Sequence, residues 1–412
     1  MSAPNPGVLG LEPSFGYGDR LGTATPGHLE AHRDLGAGIA PIFAQQSIRE
    51  MERTARSAAD VMADAANALT AAGFTDSWGA DADHLKTAAD VDATAAAGYT
   101  FFTIDPSDHV DIAADDYSAA EVDEQFAGVR SEIDWLDTYR GQTVGFDGFE
   151  IAFDETTVRR AAVKYGRAIA HSRRLAAHIE KTAAGIPGGH EIELSVDETP
   201  QPTTLAEHYV IADQCRRSGM NLVSLAPRYV GGFEKGIDYR GDLAVLERSL
   251  ERHMQIVRRL GPYKLSLHSG SDKLSIYPII ARVTGGLFHV KTAGTSYLEA
   301  LRAVARHDPA LLRRVVEFSR GRFETDRATY HISSEVQDAA APTEIDSASD
   351  LEDTYLNRDP GRQILHVTFG SVLTDPDLCP AIKALLEAEP ATHQQVVADH
   401  FRRHLAALQE GL

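Results

Sequence analysis

Histidines and carboxylates follow several short apolar stretches of this sequence, at the points where each stretch gives way to polar residues. The clearest stretch is KLSLHSGSDK, residues 264–273, in which Leu265 and Leu267 alternate with polar side chains before His268. Similar positions elsewhere hold these residues: Asp83, His84, Asp105, Asp197, Glu198, His289 and His366. Imidazole and carboxylate groups together can bind a divalent cation such as Zn, Mn, Co, Ni or Fe, or transfer protons. A single inward-facing histidine is more often a hydrogen-bonded core residue, so the metal interpretation depends on the fold bringing these groups together.

A parallel sheet would bring them together, because parallel strands share one carboxyl edge. The apolar stretches that indicate strands are 76–84, 99–105, 149–155, 191–198, 221–228, 264–270, 286–292 and 364–370. Helical patterns separate most of them, and this alternation predicts an α/β fold of the (β/α)8 TIM-like type. An open doubly wound sheet is the alternative, but the sequence lacks the glycine-rich phosphate turn that would favour it.

The alternation of side chains within these stretches predicts which residues face the barrel interior. In LFHVKT, Phe288 and Val290 share one face, while His289 and Lys291 share the other. By the same period of two, His366 faces away from the apolar side chains of ILHVTFG. His268, His289 and His366 are therefore predicted to point into the barrel mouth.

The remaining segments divide the chain into three parts of one structural domain. Residues 1–70 are predicted to form an N-terminal extension that packs on the barrel, and residues 71–375 the catalytic barrel. Within the barrel, the polar stretch 325–362 is predicted to be an insertion or lid. Residues 376–412 are predicted to form C-terminal helices. Asp154, in the sequence DETT, suits either a helix N-cap or a catalytic role.

Composition excludes several classes of function. The 412 residues carry a net charge of −20, which disfavours a nucleic-acid partner. No apolar run reaches the roughly 18 residues that a membrane span needs, and the N-terminus lacks a signal peptide pattern, so we expect a cytoplasmic protein without a membrane partner. The oligomeric state stays open, a homo-oligomer included. An anionic substrate would require a local basic pocket.

Six motifs resemble the tagaturonate/fructuronate epimerase family. They are DADH, FFTID, ELSVDET, LAPRYVGGFEKGIDY, LSLHSGSDKLSIYP and FHVKTAGTSYLEAL, and the resemblance extends over residues 13–375. It implies a metal-dependent isomerase that acts on a small ketouronate and inverts its C4. It also implies that Asp83 and Glu198 act as acid and base and that His84, His268 and His289 bind the metal, with His366 as a further candidate.

The residue types after His268 predict a role in binding the substrate of such an enzyme. Ser269 and Ser271 would donate hydroxyl hydrogen bonds, Lys273 would pair with the uronate carboxylate, and Asp272 would hold a sugar hydroxyl or orient Lys273. Arg228, Lys291 and Arg20 are further candidates for the carboxylate. The alternative is that Asp272 and Lys273 simply pair with each other.

Three other functions remain open on the sequence alone. The first is another metal-dependent ketose isomerase, epimerase or aldolase, including one that converts tagatose and fructose. The second is an aldolase in which Lys291 or Lys273 forms a Schiff base. The third is a non-catalytic sugar-acid binding protein, for which so many ionisable groups at strand ends would be superfluous.

Overall fold

Parallel strands close into a barrel in the structure, a computed structural model that describes residues 3–268, 272–292, 294–330 and 332–412. The strands of these residues are β1 (Ser14–Gly18), β2 (Ala40–Ser47), β3 (Gly79–Leu85), β4 (Phe101–Ile104), β5 (Gln142–Phe146), β6 (Phe149–Phe153), β7 (Glu191–Val196), β8 (Leu222–Pro227), β9 (Lys264–His268) and β10 (Phe288–Thr292). The order around the barrel is β1-β10-β9-β8-β7-β4-β3-β2, and every pair in it is parallel. The strands β5 and β6 form a separate antiparallel pair. The predicted TIM-like fold is therefore confirmed.

Helices surround the barrel and continue beyond it. The α-helices of the described residues are α1 (Thr25–Leu35), α2 (Ile48–Thr54), α3 (Ala58–Ala71), α4 (Ala88–Ala96), α5 (Ala119–Val129), α6 (Leu136–Tyr139), α7 (Glu155–Thr182), α8 (Leu205–Arg217), α9 (Leu243–Leu260), α10 (Tyr277–Thr284), α11 (Thr295–His307), α12 (Pro309–Asp326), α13 (Ala348–Glu352), α14 (Asp359–Val367), α15 (Phe369–Thr374), α16 (Leu378–Ala388) and α17 (Pro390–Gln409). The C-terminal helix α17 packs against α1, α10 and α11 and so closes the outer ring beside β1. Helices α11 to α16 share a second apolar core next to the barrel.

The N-terminal segment differs from the prediction of an extension, because β1 and β2 are barrel strands. The glycines of SFGYG make a strand hard to recognise in the sequence, but close packing between β1 and β2 explains one of them. A Cβ atom at Gly16 would lie 3.0 Å from Oε1 of Gln45 on β2. Gly16 therefore allows the two strands to approach closely.

The prediction is wrong for two segments, which are not strands of the barrel. Residues 149–153 belong to the β5–β6 pair outside the barrel, and Asp154 caps helix α7 by accepting a hydrogen bond from the backbone N–H of Thr157 at 2.7 Å. Residues 364–367 lie in helix α14, which has a proline, Pro360, in its first turn. Proline is favoured at the start of a helix, and this signal outweighs a short alternation that also fits a helix.

Among the described residues, no helix is long and apolar enough to cross a membrane.

Two buried histidines between α8, α9 and β9 make the stability of the barrel wall sensitive to acid. Nδ1 of His208 lies 2.7 Å from Nδ1 of His253, and Tyr263 Oη lies 2.8 Å from His208 Nε2. Burial lowers the pKa of His208 well below its usual value and that of His253 to about 4. The unfolded chain therefore binds protons first as the pH falls below about 6.5, and stability is lost below that value.

We expect the free energy of unfolding to fall by about 1.4 kcal/mol per pH unit, between pH 6.5 and 5, for each histidine that the fold holds neutral. Urea unfolding at three pH values in this range, on the natural chain and on His253→Gln, measures the effect. The variant should show a shallower pH dependence. Equal slopes for the two proteins would contradict the assignment.

Candidate active site and metal centre

A buried lysine at the carboxyl end of β10 gathers three carboxylates from neighbouring strands. Lys291 Nζ lies 2.8 Å from Asp81 Oδ2, 2.8 Å from Asp83 Oδ1 and 2.9 Å from Glu193 Oε1. It also donates a hydrogen bond to Thr103 Oγ1. Burial alone would lower the pKa of Lys291, but the three carboxylates raise it above its usual value. Lys291 is therefore a permanent cation that holds the carboxylates in place.

The three carboxylates have different pKa values. Burial, reinforced by the charges of Asp83 and Glu193, raises the pKa of Asp81 to about 7 despite the opposing Lys291. Burial also disfavours ionised Asp83 and Glu193, but nearby cationic side chains lower both pKa values below the usual range. Asp83 is therefore an ionised carboxylate in the site, and Lys291 holds one of its oxygens.

Two imidazoles lie directly beside this group. The rings of His84 and His268 are 5.2 Å apart and nearly perpendicular. His84 Nδ1 lies 3.2 Å from Asp105 Oδ2, and His268 Nε2 lies 2.7 Å from Glu193 Oε1. One ligand atom from each of Asp83, His84 and His268 lies within 4.8 Å of the others. Such a set of two imidazoles and a carboxylate fits the donor preference of a transition-metal ion.

The backbone at His84 explains how adjacent residues reach one site. Strict alternation along β3 would place Asp83 and His84 on opposite faces of the sheet. His84 instead has a φ of +54°, and the β3–β4 register shifts between Ala82 and Leu85. Left-handed backbone is unfavourable for a histidine, and residues in such conformations concentrate at functional sites.

Burial and neighbouring carboxylates act against each other on the two histidines. Burial would lower the pKa of each imidazole. Asp83 and Asp105 nonetheless raise the pKa of His84 to about 10, and Asp197 and Glu193 raise that of His268 to about 9. The local field is therefore strongly negative and favours a cation at this point.

A cavity of about 360 Å³ opens onto the two histidines. The described residues that line it are Arg49, His84, Asp197, Glu198, Thr199, Pro200, Arg228, Phe233, Lys235, His268 and Tyr330. Arg49, Arg228 and Lys235 are basic and Asp197 and Glu198 are acidic, so the lining offers cationic groups to an anion beside the negative field at the histidines. Glu198 faces it with 34% of its side-chain surface exposed, 3.6 Å from the guanidinium of Arg49. The predicted residues His84, His268, Glu198 and Arg228 therefore share one cavity wall.

His289 lies deeper in the barrel than predicted. Lys291 pairs with His268 across β10 and β9, whereas His289 pairs with Ser266 one layer below. Its Nδ1 shares a 2.9 Å hydrogen bond with Ser14 Oγ, and burial lowers its pKa well below the usual value. His289 does not belong to the ligand group with His84, because two residues of strand separate the layers by about 6–7 Å.

Arg20 and His366 also occupy places that differ from the prediction. Arg20 pairs with Glu50 at 2.6 Å and stacks over Phe369 at 3.5 Å. His366 is buried on helix α14 rather than on a strand. Neither residue lines the cavity described above.

The turn after β9 is only partly described. Ser269 and Ser271, predicted to bind substrate, lie outside the described residues. Lys273 is fully buried, and its Nζ donates hydrogen bonds to the backbone carbonyls of Glu234, at 2.9 Å, and Ile237. Asp272 pairs with Arg362 at 2.6 Å rather than with Lys273. Neither Asp272 nor Lys273 is among the described residues that line the cavity. Their positions therefore do not match the predicted roles in substrate binding.

Sequence reasoning missed several residues of the site. Arg49 follows β2, a strand that was not predicted, and Lys235 follows β8 by a long loop. Tyr330 comes from the segment predicted as a lid. A signal existed for Lys235, since the GGFEKG stretch after β8 carries a lone cation between glycines.

A closed (β/α)8 barrel with ionisable groups and a cavity at the carboxyl ends of its strands defines the chain as a TIM-barrel enzyme. The family model described as UxaE, tagaturonate epimerase, matches residues 2–408. A tagaturonate/fructuronate epimerase of Thermotoga maritima is 42% identical over 403 residues, which are 97% of this chain and 81% of that protein. The chain belongs to the tagaturonate epimerase family and is an isomerase of the epimerase type.

Solved structures agree with this family. The native crystal structure of the fructuronate-tagaturonate epimerase UxaE from Cohnella laeviribosi has a TM-score of 0.90 and 35% identity, covering 98% of this chain and 83% of that chain. A structure of the same protein with one glycerol gives the same values.

Proposed function

We propose that this enzyme interconverts D-tagaturonate and D-fructuronate with a divalent cation held by His84 and His268. The observation that carries the proposal is a cavity that holds three basic side chains and opens onto two imidazoles backed by carboxylates. Cationic groups in the cavity of an acidic chain favour an anionic ligand. The substrates named for the Thermotoga relative are sugar acids, which carry a negative charge.

The chemistry of the substrate favours carbon–carbon cleavage. The two ketouronates differ at C4, counted from the CH2OH end, and the ketone is at C2. The hydrogen on C4 is β to the ketone, so the ketone does not acidify it and direct deprotonation is slow. Retro-aldol cleavage of C3–C4, rotation of the aldehyde fragment and re-addition would invert C4 without an external oxidant.

The proposed roles of the side chains follow from their positions. A bound cation would polarise the ketone oxygen as a Lewis acid. Asp83 and Glu198 act as the acid–base pair: one removes the proton from the C4 hydroxyl as the C3–C4 bond breaks. The other returns a proton to the C4 oxygen after C3 has attacked the opposite face of the aldehyde. Lys291 keeps Asp83 ionised and oriented.

Two observations support this route over a Schiff base. A lysine nucleophile needs a lowered pKa, whereas the carboxylates around Lys291 raise its pKa despite burial. Burial lowers the pKa of Lys273 to about 7, but this side chain is fully buried against backbone carbonyls.

Removal of the metal tests the proposed function. We expect chelator-treated protein to leave fructuronate unchanged in an NMR assay, and single additions of Zn, Mn, Co, Ni or Fe to restore tagaturonate formation. No three-carbon aldehyde acid should accumulate, since both fragments stay in the cavity. Full turnover after complete metal removal would contradict the metal role, and accumulation of three-carbon fragments would identify an aldolase instead.

The uronate carboxylate is expected to bind Arg228, with Lys235 nearby. Arg228 lines the cavity, and burial lowers its pKa, which indicates a desolvated guanidinium that an anion would stabilise. Loss of one charged hydrogen bond costs about 1.5–3 kcal/mol, so Arg228→Met should raise KM for fructuronate about 10- to 100-fold. Steady-state kinetics measures this change. Arg217→Met, at an exposed position on α8, is the control, and an unchanged KM in Arg228→Met would exclude the contact.

A further inference from the structure

A second cluster of metal-binding side chains lies between the turn after β9 and the C-terminal helix α17. Asp272 Oδ1 lies 3.0 Å from His400 Nε2 and 3.0 Å from His404 Nε2. The two Nε2 atoms are 3.1 Å apart. His400 and His404 are one helical turn apart and almost completely buried, and none of the three residues lines the catalytic cavity.

Hydrogen bonds alone do not account well for the close approach of Asp272 Oδ1, His400 Nε2 and His404 Nε2. If both imidazoles carry a proton on Nε2, both N–H groups point at Asp272 Oδ1, and their hydrogens repel each other because the two nitrogens are only 3.1 Å apart. If only one Nε2 is protonated, the lone pair of the other faces the carboxylate oxygen at 3.0 Å. Each arrangement leaves one repulsive contact in a buried place, where such contacts are costly.

A divalent cation satisfies all three atoms at once. With metal–ligand distances of about 2.1 Å, neighbouring ligands of a tetrahedral or octahedral ion lie roughly 3.0–3.4 Å apart. The three observed separations fall in this range. The ligand atoms also form a distinct group from that of Asp83, His84 and His268.

Each of the three ligands has an outer partner of the kind found around protein-bound metals. His400 Nδ1 lies 3.0 Å from Nη2 of Arg403 and 3.3 Å from the carboxylate of Glu299, and His404 Nδ1 lies 3.2 Å from Tyr277 Oη. The second oxygen of Asp272 accepts a 2.6 Å hydrogen bond from Arg362. Metal-binding histidines usually donate their other ring N–H to a carboxylate or another acceptor, and Glu299 and Tyr277 Oη offer such acceptors here.

We propose that Asp272, His400 and His404 form a second metal site, which takes Zn²⁺ or a similar transition-metal ion such as Co²⁺ or Ni²⁺. The ion joins α17 to Asp272, which precedes α10 in the chain. It is structural, because the site is buried among α11, α14 and α17 and lies apart from the catalytic cavity. This site does not depend on the proposed reaction.

The metal content of defined variants tests the second site. After loading with Zn²⁺ and dialysis, elemental analysis should find one zinc ion fewer per chain in His404→Gln than in the natural chain, whatever the content of the first site. His84→Asn should lose the first ion and keep the second. His393→Gln, at another buried position of α17, should keep the full content. An unchanged zinc content in folded His404→Gln would overturn the proposal.

Crystals of the natural chain give an answer even if His404→Gln does not fold. An anomalous difference map at the zinc absorption edge, from crystals grown with Zn²⁺, should show a peak about 2.0–2.2 Å from both Nε2 atoms and Asp272 Oδ1. A map without a peak there would overturn the proposal. Thermal unfolding supplies a second measurement. The ion that remains in His84→Asn is the structural one, so a chelator should lower the Tm of this variant. The same chelator should not change the Tm of the double variant His84→Asn/His404→Gln. Equal shifts in both proteins would also contradict the second site.

Discussion

Asp83→Asn is expected to lower kcat for fructuronate about 10³-fold, within the usual range for a lost acid–base group. The asparagine amide has the shape of the carboxylate but cannot accept or return the C4 hydroxyl proton. KM should change little, because the basic side chains of the cavity remain. An NMR assay of tagaturonate formation under saturating fructuronate measures the change in kcat.

The metal content of the same variant separates two roles that the geometry of Asp83 allows. Its carboxylate lies within ligand distance of His84 and His268, and it also receives a hydrogen bond from Lys291. As an acid–base group, Asp83 can be replaced by Asn without loss of the cation, since both imidazoles remain. Loss of the metal together with activity would contradict the acid–base role and make Asp83 a ligand. Asp76→Asn, at an exposed position before β3, is the control for both measurements.

The site could be predicted from the sequence where its residues stand at the ends of strongly patterned strands. His268, Glu198 and Arg228 each follow an apolar run, and the rule that barrel enzymes react at the carboxyl ends of their strands placed them together. His366 shows the limit of this rule. A short alternating run fits a helix as well as a strand, and only the proline in the first turn of α14 indicates the difference.

Other features of the site depend on contacts distant in sequence. Strand β1 has glycines because of its close approach to β2, so its own residues indicate a loop. Arg49 was missed for the same reason, since it follows a strand that was itself missed. The left-handed backbone of His84 breaks the alternation on which the assignment of faces depended. The layer of His289 in the barrel follows from the register of β10 against β9, which one strand alone does not reveal.

Lys291→Met is expected to lower the free energy of unfolding by about 3–5 kcal/mol at pH 7.5, because it leaves buried carboxylates without their cation. Lys291 is 2% exposed, and Asp81, Asp83 and Glu193 all lie within 2.9 Å of its Nζ. Urea unfolding measures the loss. Lys383→Met, on the exposed face of α16, is the control and should change the stability by less than about 0.5 kcal/mol.

The pH dependence of this loss identifies its electrostatic cause. Without Lys291, the pKa of Asp81 rises further above its value in the unfolded chain, because burial raises it and Lys291 is the cation that opposes this rise. A raised pKa contributes stability at low pH that is lost as the pH increases through the folded value, so the difference between variant and natural chain should widen from pH 5.5 to 8. Adding Asp81→Asn to Lys291→Met removes one of the unpaired charges and should recover part of the loss. A difference that is constant over this pH range would mean that Lys291 stabilises the barrel by packing its side chain rather than by its charge.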